Sequence, residues 1–450
     1  MNTIKLKKGL DILISGAADK KNVGEIISQE IGIVPDYYEG IVPKVAVKEG
    51  DEVQIGSPIF YDKSHPELKI VSPVCGKVKE VARGERRKLL YILIERNGSE
   101  NQVEMPAIDF NSGREAIHAA ILASGFGSLI RQRPYDVIAN PTMMPKSIFV
   151  SAFDTAPLAP DYGYTLQGKE KELQAGLTAL SKIAKVYYNV CKATPTSLQN
   201  MENVEVTAFE GAHPAGNAGV QINHLDPVNK GEVVWTMNVQ DVVMMGNYIL
   251  TGKLDMRKTI AVVGPKVSTP SYVTTITGSY ISDIDEGKLI KDENIRVING
   301  NPLTGIKAEE KSFLSPFAGQ ITVIAEGDHA DELLGWAMPR FNKFSNTNLF
   351  FTKIQKMLCP KKQYEFDARI CGGERAFIMS GEYDRVFPMD IMPEQLVKAM
   401  IAKNLDKMEQ LGAYEVAPED FALCEFVCTS KIETQRIVRE ALNYMRKELE

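Results

Sequence analysis

The chain is poor in the residues that most often mark a metal site or a disulfide-stabilised protein. Its 450 residues include 6 cysteines, 5 histidines and 2 tryptophans. Six scattered cysteines in so long a chain do not resemble a disulfide framework. The histidines lack a ligand spacing such as H-x₃-H, and they are His65, His118, His213, His224 and His329. We therefore expect no zinc or other metal site.

A long apolar run and an excess of basic residues are also missing. The longest weakly polar run, residues 117–130, is interrupted by a histidine, two serines and two glycines, so we expect no transmembrane span. The first residues lack the apolar core of a secretory signal, which predicts a bacterial-type cytoplasmic setting with free thiols. A formal net charge of −6 argues against a nucleic-acid partner. With 44% apolar and 24% charged residues, the composition is that of a globular protein of several domains.

The stretch around which the chain is organised covers residues 209–252 and opens with a glycine-rich loop. Glycines let the backbone take positive φ and lie close to a flat or anionic group. The loop residues that bear on binding are Gly211, His213, Pro214, Gly216 and Gly219. Their spacing matches neither G-x-G-x-x-G nor the P-loop motif, so no nucleotide is assigned from it.

This loop belongs to a mixed α/β domain predicted over residues 101–256. Apolar periodicity predicts its helices and strands. The helices are expected at residues 114–123, 169–186 and 242–250, and the strands at 146–154, 204–210 and 232–239. Strands of such a domain deliver their loops to one end, where ligands bind. Asp154 ends one strand, and it either contributes to that end or, with Thr155, caps a turn.

Residues 1–100 are expected to contain an irregular, partly extended lead-in of about 40 residues and then a small β module. Alternating apolar residues over 42–60 and 69–81 form two similar halves, which resemble the lipoyl/biotinyl barrel-sandwich fold. Carriers of that fold bear a prosthetic arm on a hairpin lysine, and Lys63 lies near that place. Because His65 stands in what would be the short symmetrical turn of a carrier, a structural module is favoured over a carrier.

The rest of the chain divides into a β-rich and a helical region. Residues 257–335 alternate around turns rich in glycine, proline and asparagine, which predicts a small β-grasp (SLBB-like) domain. Residues 336–450 begin extended and end in helices. Pro393 opens one helix, whose apolar face is predicted to continue to Leu411.

Six local sequences are distinctive: HPAGNAGVQIN, NVQDVVMMGNYILTG, RVINGNPLTG, LGWAMPRFNKFS, YDRVFPMDIMP and EDFALCEFVCTSKI. Together with the domain order, they resemble the A subunits of Na⁺-translocating NADH:quinone reductases over the whole chain. The domain order is also similar to that of the C subunit of the Rnf complex and, in its centre, the flavin subunit of complex I. The resemblance implies a Rossmann-like α/β domain and a helical C-terminal domain like a ferredoxin without clusters.

The same resemblance bears on a flavin. In the Rnf relative a G-G-x-G-F-P-T loop would hold a flavin phosphate through its backbone N–H groups. The corresponding stretch here is SGFGSLIRQRPYDVIANP, residues 124–141. Only Gly125 and Gly127 remain of the glycines, and bulky residues and two arginines follow. We therefore expect no bound FMN.

The resemblance also bears on iron–sulfur clusters. Two C-x₂-C-x₂-C-x₃-C-P motifs would hold a pair of [4Fe–4S] clusters in the Rnf relative. Aligned on this chain, the ligand positions are Phe377, Ser380, Tyr383 and Phe387 for the first motif, and Pro418, Phe421, Cys424 and Cys428 for the second. A single C-x₃-C pair is a weak metal signal. The C-terminal region is predicted to bind no cluster and to serve as a docking surface for other subunits.

Two functions from different classes follow. The first is a cofactor-free peripheral subunit on the cytoplasmic face of the bacterial inner membrane, docked chiefly on a membrane subunit. NADH, FAD, FMN and iron–sulfur centres would then belong to partner subunits of this sodium-exporting translocase, and this chain would have no catalytic residue of its own. The second is an autonomous flavo-iron–sulfur dehydrogenase of the Rnf or complex I type, which would require a nucleotide fingerprint and cluster cysteines.

The resemblance also implies a quinone as a ligand of the complex. A quinone needs an apolar slot and one or two hydrogen-bond donors at its carbonyl groups. We place the candidate contacts at the loop ends of the α/β domain. They are Gly211, His213, Pro214, Gly216, Asp154, Arg131, Arg133 and Tyr135. In this hypothesis His213 or an arginine donates to a quinone carbonyl.

Overall fold

A computed structural model describes residues 2–290, 292–328, 341–346 and 351–450. His329 and most of the LGWAMPRFNKFS motif lie outside the described residues. Within the described ranges, no helix has both the length and the apolar character needed to cross a membrane.

The strands are short and fall into groups along the chain. In chain order they are β1 Asn2–Lys5, β2 Asn22–Glu25, β3 Glu30–Ile33, β4 Pro43–Val45, β5 Glu52–Val53, β6 Pro58–Asp62, β7 Lys69–Val71, β8 Gly76–Arg83, β9 Leu89–Arg96, β10 Arg131–Arg133, β11 Val137–Ile138, β12 Ser147–Ser151, β13 Lys185–Cys191, β14 Glu205–Glu210, β15 Val234–Asn238, β16 Arg257–Val263, β17 Ser271–Ile276, β18 Ile295–Asn299, β19 Ile306–Lys307 and β20 Gln320–Ala325.

The helices lie mainly in the centre and at the C-terminal end. They are α1 Arg114–Ala123, α2 Tyr162–Thr165, α3 Glu170–Ile183, α4 Thr196–Gln199, α5 Ala218–Leu225, α6 Val239–Thr251, α7 Ile281–Ile284, α8 Thr352–Leu358, α9 Tyr383–Val386, α10 Pro393–Ile401, α11 Leu405–Gln410, α12 Ala422–Val427 and α13 Thr434–Leu449. The helices predicted over residues 114–123, 169–186 and 242–250 are confirmed, within a few residues at their ends.

The central α/β domain contains a seven-stranded sheet in the order β1-β14-β13-β12-β15-β10-β11. Strands β1 and β12 to β15 run parallel, and β10 pairs antiparallel with β15 and β11. Apolar residues on both faces of β12 and β13 suit parallel strands covered on both sides. Ile148 and Val150 face the layer of α1, α3 and α6, whereas Phe149 faces the C-terminal helices. The C-terminal region therefore provides the second helical layer of this sheet.

Helices α3 and α6 pack unusually closely because a glycine of each lies at the contact. A Cβ atom on Gly176 would lie 2.3 Å from the carbonyl oxygen of Val242, and one on Gly246 would lie 1.7 Å from that of Glu172. Any side chain at either position would force the two backbones apart. This contact fixes the position of α6 against α3 on one face of the sheet.

Two smaller sheet systems lie beside the α/β domain. The sheets β3-β9-β8-β5 and β4-β6-β7 enclose one apolar core as the predicted barrel-sandwich, in which Ile31, Ile59 and Phe60 are buried. Lys63 is exposed just after β6. The SLBB-like domain has the six-stranded sheet β19-β18-β20-β16-β17-β2 around a core that includes Ile260 and Val273.

The first 33 residues contain three short strands within the irregular, partly extended lead-in expected from the sequence. β1 pairs with β14 of the α/β domain, β2 with β17 of the SLBB-like domain, and β3 with β9 of the barrel-sandwich. The sequence did not predict these strands or their pairing, because each is four residues long and its partner is distant in sequence. Local patterning carries little information about such pairs.

The helix predicted from Pro393 to Leu411 is wrong as one element. α10 ends at Ile401, and α11 begins at Leu405. Lys403 between them has a φ of 50°, and the side chain of Asn404 accepts a hydrogen bond from the Lys407 N–H at 3.1 Å. Asn404 thus caps a new helix.

Candidate functional site

The glycine-rich loop lies at the carboxyl edge of the parallel strands, as predicted, between β14 and α5. Gly216 approaches the segment after β12 so closely that a Cβ atom would lie 2.8 Å from the Thr155 nitrogen. The Gly216 N–H donates to Thr155 Oγ1 at 2.9 Å. This contact brings Gly216 and His213 of the loop together with Asp154 and Thr155. Gly211 and Pro214 belong to the same loop, and a Cβ atom on Gly211 would lie 2.9 Å from Leu6 Cβ.

His213 is buried in this contact, with 4% of its surface exposed. Its Nδ1 atom lies 3.1 Å from Thr155 Oγ1, and its backbone N–H donates to Asp11 Oδ1 at 2.9 Å. Burial lowers the pKa of the imidazole to about 4, so His213 is neutral at neutral pH. A neutral imidazole retains one N–H donor and one acceptor.

Asp154 is half-buried beside this histidine loop. Its Oδ1 atom accepts from the Ala156 N–H at 2.8 Å, so its carboxylate caps the turn that follows β12. Burial raises the pKa of Asp154 above its ordinary value. The turn-capping interpretation therefore describes Asp154, and Thr155 contacts His213.

The arginines predicted for the same site belong to a separate ionic cluster, which we call the Asp136 cluster. Arg131 Nη2, Arg133 Nη1 and Arg439 Nη2 lie 2.7, 2.5 and 2.6 Å from the Asp136 carboxylate. Arg133 is 1% exposed and Asp136 is 4% exposed. Burial alone would raise the pKa of the Asp136 carboxyl, but the three guanidinium groups outweigh burial and lower it.

Tyr135 lies at the strained turn of this cluster and points away from the histidine loop. Tyr135 and Asp136 have φ values of 75° and 52°, in the left-handed region that side chains other than glycine and asparagine seldom adopt. Arg439 of α13 holds this turn through the carbonyl oxygens of both residues, at 2.9 and 3.1 Å. The Tyr135 ring packs in the core formed with the C-terminal helices, and burial raises its pKa to about 12.

Two acidic residues from the C-terminal region, Glu419 and Asp420, connect the histidine loop to the Asp136 cluster. Glu419 Oε1 lies 3.4 Å from Arg133 Nη2, and its carbonyl oxygen accepts from Asn217 Nδ2 at 3.3 Å. Asp420 is 2% exposed and lies over the first turn of α5, where a Cβ atom on Gly219 would lie 2.3 Å from Asp420 Oδ2. Burial, with the charge of Glu419, raises the pKa of Asp420 to about 7.

The structure therefore divides the predicted site residues into two groups. Asp154 and the loop residues form one, Arg131, Arg133 and Tyr135 form the other, and Glu419 with Asp420 lies between them. Sequence reasoning did not identify Thr155 as a partner of His213, nor the roles of Glu419 and Asp420. Their positions depend on contacts between residues more than 50 positions apart, as in the pair Thr155–His213, and no local motif signals these contacts.

Two other histidines and the two cysteines of the C-x₃-C pair pack against neighbouring side chains or backbone. His118 lies 5.4 Å from the Trp235 ring, and the Nδ1 atom of His224 contacts the Val220 carbonyl. Cys424 and Cys428 are buried, and the Tyr383 hydroxyl donates to Cys428 Sγ at 3.1 Å. In the part of the chain that the structure describes, no three histidine, cysteine, aspartate or glutamate side chains group as metal ligands.

Family models match three parts of the chain. They are described as the NqrA N-terminal barrel-sandwich hybrid domain over residues 4–97, the NqrA second alpha/beta domain over residues 112–254, and the NQRA C-terminal domain over residues 259–310. These matches agree with the barrel-sandwich, α/β and SLBB-like domains described above.

Curated relatives match the chain over almost its whole length. The A subunit of the Na(+)-translocating NADH-quinone reductase of Rhodopirellula baltica is 35% identical over 454 residues, covering 99% of this chain and 98% of the relative. The proteins of the same name from Alcanivorax borkumensis and Neisseria meningitidis are 35% and 34% identical over 452 residues, covering 99% of this chain and 100% of each relative. A solved NAD⁺-reducing [NiFe]-hydrogenase in the H₂-reduced state covers 76% of this chain and 63% of its own, at 12% identity and a TM-score of 0.36, too low a likeness to bear on the fold.

Proposed function

Since the chain belongs to the family of A subunits of Na⁺-translocating NADH:quinone reductases, we propose that it is a peripheral subunit that binds no redox cofactor itself. In this proposal it docks, on the cytoplasmic face of the inner membrane, to a membrane subunit of the complex. NADH, FAD, FMN and iron–sulfur centres are bound by partner subunits, which transfer electrons to quinone and drive Na⁺ export. The chain then acts in a translocase without a catalytic group of its own.

The observation that carries this proposal is aromatic packing at the positions where ferredoxin-type clusters would be ligated. Phe387 and Phe421 are buried with ring centroids 5.0 Å apart. Phe377 and Tyr383 have ring centroids 5.9 Å apart, and Tyr383 continues to Cys428. A cubane cluster needs four thiolates around a cavity of its own size. These residues do not fit such a cluster, and we infer a ferredoxin-like C-terminal domain whose cluster positions are filled by side chains.

The stretch that aligns with the flavin loop of the Rnf relative does not fit a flavin phosphate either. Phe126 and Leu129 are buried in the α/β core. Gly125 packs on the barrel-sandwich, since a Cβ atom would lie 2.6 Å from Val71 Cγ2. The first turn of α5, which would attract an anionic cofactor group, is covered by the carboxylate of Asp420. We therefore infer a Rossmann-like domain that has lost flavin binding.

Cofactor content of the purified chain tests this proposal against the autonomous flavo-iron–sulfur dehydrogenase. We expect substoichiometric flavin and iron after anaerobic purification, and no cluster absorbance after incubation with iron and sulfide. We expect no NADH oxidation by the isolated chain, and restored turnover when it is added to a complex from which it has been depleted. Stoichiometric flavin or iron, or NADH oxidation by the chain alone, would refute the cofactor-free assignment.

We further propose that a quinone contacts the histidine loop. The Thr155 hydroxyl accepts from Gly216 and is free to donate its hydrogen to His213 Nδ1. This assignment leaves Nε2–H as the free donor of a neutral imidazole for a quinone carbonyl. Asp154 lies beside the histidine loop. Arg131, whose side chain is 30% exposed and lies over the Phe317 ring, is the more accessible of the two predicted arginines.

A titration of the isolated chain with a soluble short-chain quinone, read by saturation-transfer NMR, tests this contact. We expect saturable binding that is weakened by His213→Gln and by Thr155→Val, because each removes one member of the hydrogen-bonded pair. His65→Gln in the barrel-sandwich is the matched control. If binding is absent, or if His213→Gln and His65→Gln behave alike, the quinone contact lies elsewhere or requires a partner protein of the complex.

A further inference from the structure

A basic cavity of about 460 Å³ lies at the carboxyl end of β1, the edge strand of the seven-stranded sheet. We call it the lysine cavity. Lys5, Lys7 and Lys8 line it, together with His224, and Asp390 is the acidic residue among the lining residues. In open α/β sheets, ligands bind outside the carboxyl ends of the strands, which is where this cavity lies.

The charges of the lysine cavity are only partly neutralised. Lys5 Nζ lies 3.7 Å from Glu210 Oε2. Lys7 and Lys8 are exposed and form no ion pair with the side chains described in the structure. Asp390 contributes one negative charge at the same cavity, so the lysines remain in excess. This excess stands out in a chain whose formal net charge is −6.

The main chain that bears these lysines is held on both sides. The Leu6 N–H donates to the Glu210 carbonyl at 2.8 Å, and the Leu10 N–H donates to the His213 carbonyl at 2.8 Å. Between them, the Gly9 N–H donates to the Arg385 carbonyl of the C-terminal region at 3.1 Å. A Cβ atom on Gly9 would lie 2.5 Å from the His213 carbonyl oxygen. The lysines therefore project from a fixed backbone, which lowers the entropic cost of binding an anion.

From this arrangement we propose that the lysine cavity binds a phosphate group. Ammonium groups act as point charges with three donors each, which suits a tetrahedral dianion. Leu6 and Met389 supply apolar surface in the same cavity for the organic part of a ligand. Two sources carry this chemistry, a soluble phosphate ester and the headgroup of an anionic phospholipid.

The test uses the full-length chain and a double variant, Lys7→Gln/Lys8→Gln. Its matched control, Lys171→Gln/Lys182→Gln, removes the same charge from exposed lysines of α3. Binding of inorganic phosphate and of glycerol 3-phosphate is measured by isothermal titration calorimetry at low salt. Sedimentation with phosphatidylcholine vesicles, with and without phosphatidylglycerol, measures binding to a lipid headgroup. Circular dichroism verifies that both variants are folded.

We expect saturable binding in at least one arm, weakened about tenfold or more in the cavity variant and less than about twofold in the control, because charge-assisted hydrogen bonds are lost. Binding of the soluble phosphates identifies an ester site. Binding only to the phosphatidylglycerol vesicles identifies a headgroup site. The proposal is overturned if neither arm shows binding, or if the cavity variant and the control lose affinity equally.

Discussion

Replacing Asp136 with asparagine removes the central negative charge of the Asp136 cluster while leaving its backbone almost unstrained. Asparagine tolerates the left-handed conformation required at this position, where φ is 52°. The variant leaves Arg133, 1% exposed, with Glu419 at 3.4 Å as its remaining ion-pair partner. Breaking a buried ion pair on one side costs about 3–5 kcal/mol. We expect a loss of that size in the free energy of unfolding.

Asp36→Asn is the matched control, because Asp36 pairs with Lys88 at 2.6 Å on the surface, with the two side chains 56% and 60% exposed. An exposed pair contributes only about 0–1 kcal/mol. Urea unfolding followed by circular dichroism gives both values, and hydrogen exchange over α13 shows whether that helix is released in the Asp136 variant.

The pH dependence provides a second test of the same reasoning. Because the pKa of Asp136 is held below its ordinary value of 3.8, its contribution is present above that pH and is lost only as the pH falls through the lower folded value. The difference between wild type and variant should therefore persist from neutral pH to about pH 4. If Asp136→Asn costs no more than Asp36→Asn, the cluster does not hold the C-terminal helix as we infer.

Two other substitutions test separate parts of the fold. Gly246→Ala should lower the unfolding free energy by more than about 2 kcal/mol, despite a gain of about 1 kcal/mol in helix propensity, because its Cβ atom would lie 1.7 Å from a backbone oxygen of α3. Gly373→Ala, with nothing within 4 Å, is the control in the same urea titrations, and equal losses would contradict close helix packing. Asp420→Asn should flatten the pH profile of stability. Burial raises the Asp420 pKa from 3.8 to about 7. The free energy of unfolding of the wild type should therefore decrease as the pH rises from about 4 to about 7, by at most about 4 kcal/mol. The asparagine variant should lack this decrease. If the difference in urea midpoint between wild type and Asp420→Asn is the same at pH 5 as at pH 8, the buried position of this carboxyl group is contradicted.

Elements with a strong local pattern were predictable from the sequence. The bounds of α1 match the prediction, and α6 extends the predicted helix because the Asn238 side chain accepts from the Gln240 N–H at 2.9 Å. Apolar periodicity and a capping residue are both local, so a single sequence contains them. The Asn404 cap that divides the helix after Pro393 is an equally local signal, but the continuous apolar stripe obscured it.

The candidate site was less accessible to sequence reasoning. The glycine loop and the strand end at Asp154 were placed correctly at one edge of the sheet, because parallel strands deliver their loops to the same side. The arginines were grouped with them, although β10 runs antiparallel to β15 and Arg133 turns toward Asp136. The partner of a charged residue depends on which residues the fold brings near it. The contacts of Glu419 and Asp420 therefore could not be predicted from a local motif.

The distribution of β1, β2 and β3 among three sheets has a consequence for how the chain becomes folded during synthesis. Strand β1 has its partner at Thr207–Glu210, and β2 pairs with β17 near Tyr272. The N-terminal residues must therefore wait for a large part of the polypeptide before their hydrogen bonds form. The α/β sheet is complete only after β15 and the SLBB-like sheet only after β20, and a cut between β15 and β16 would separate β2 from the other strands of the SLBB-like sheet.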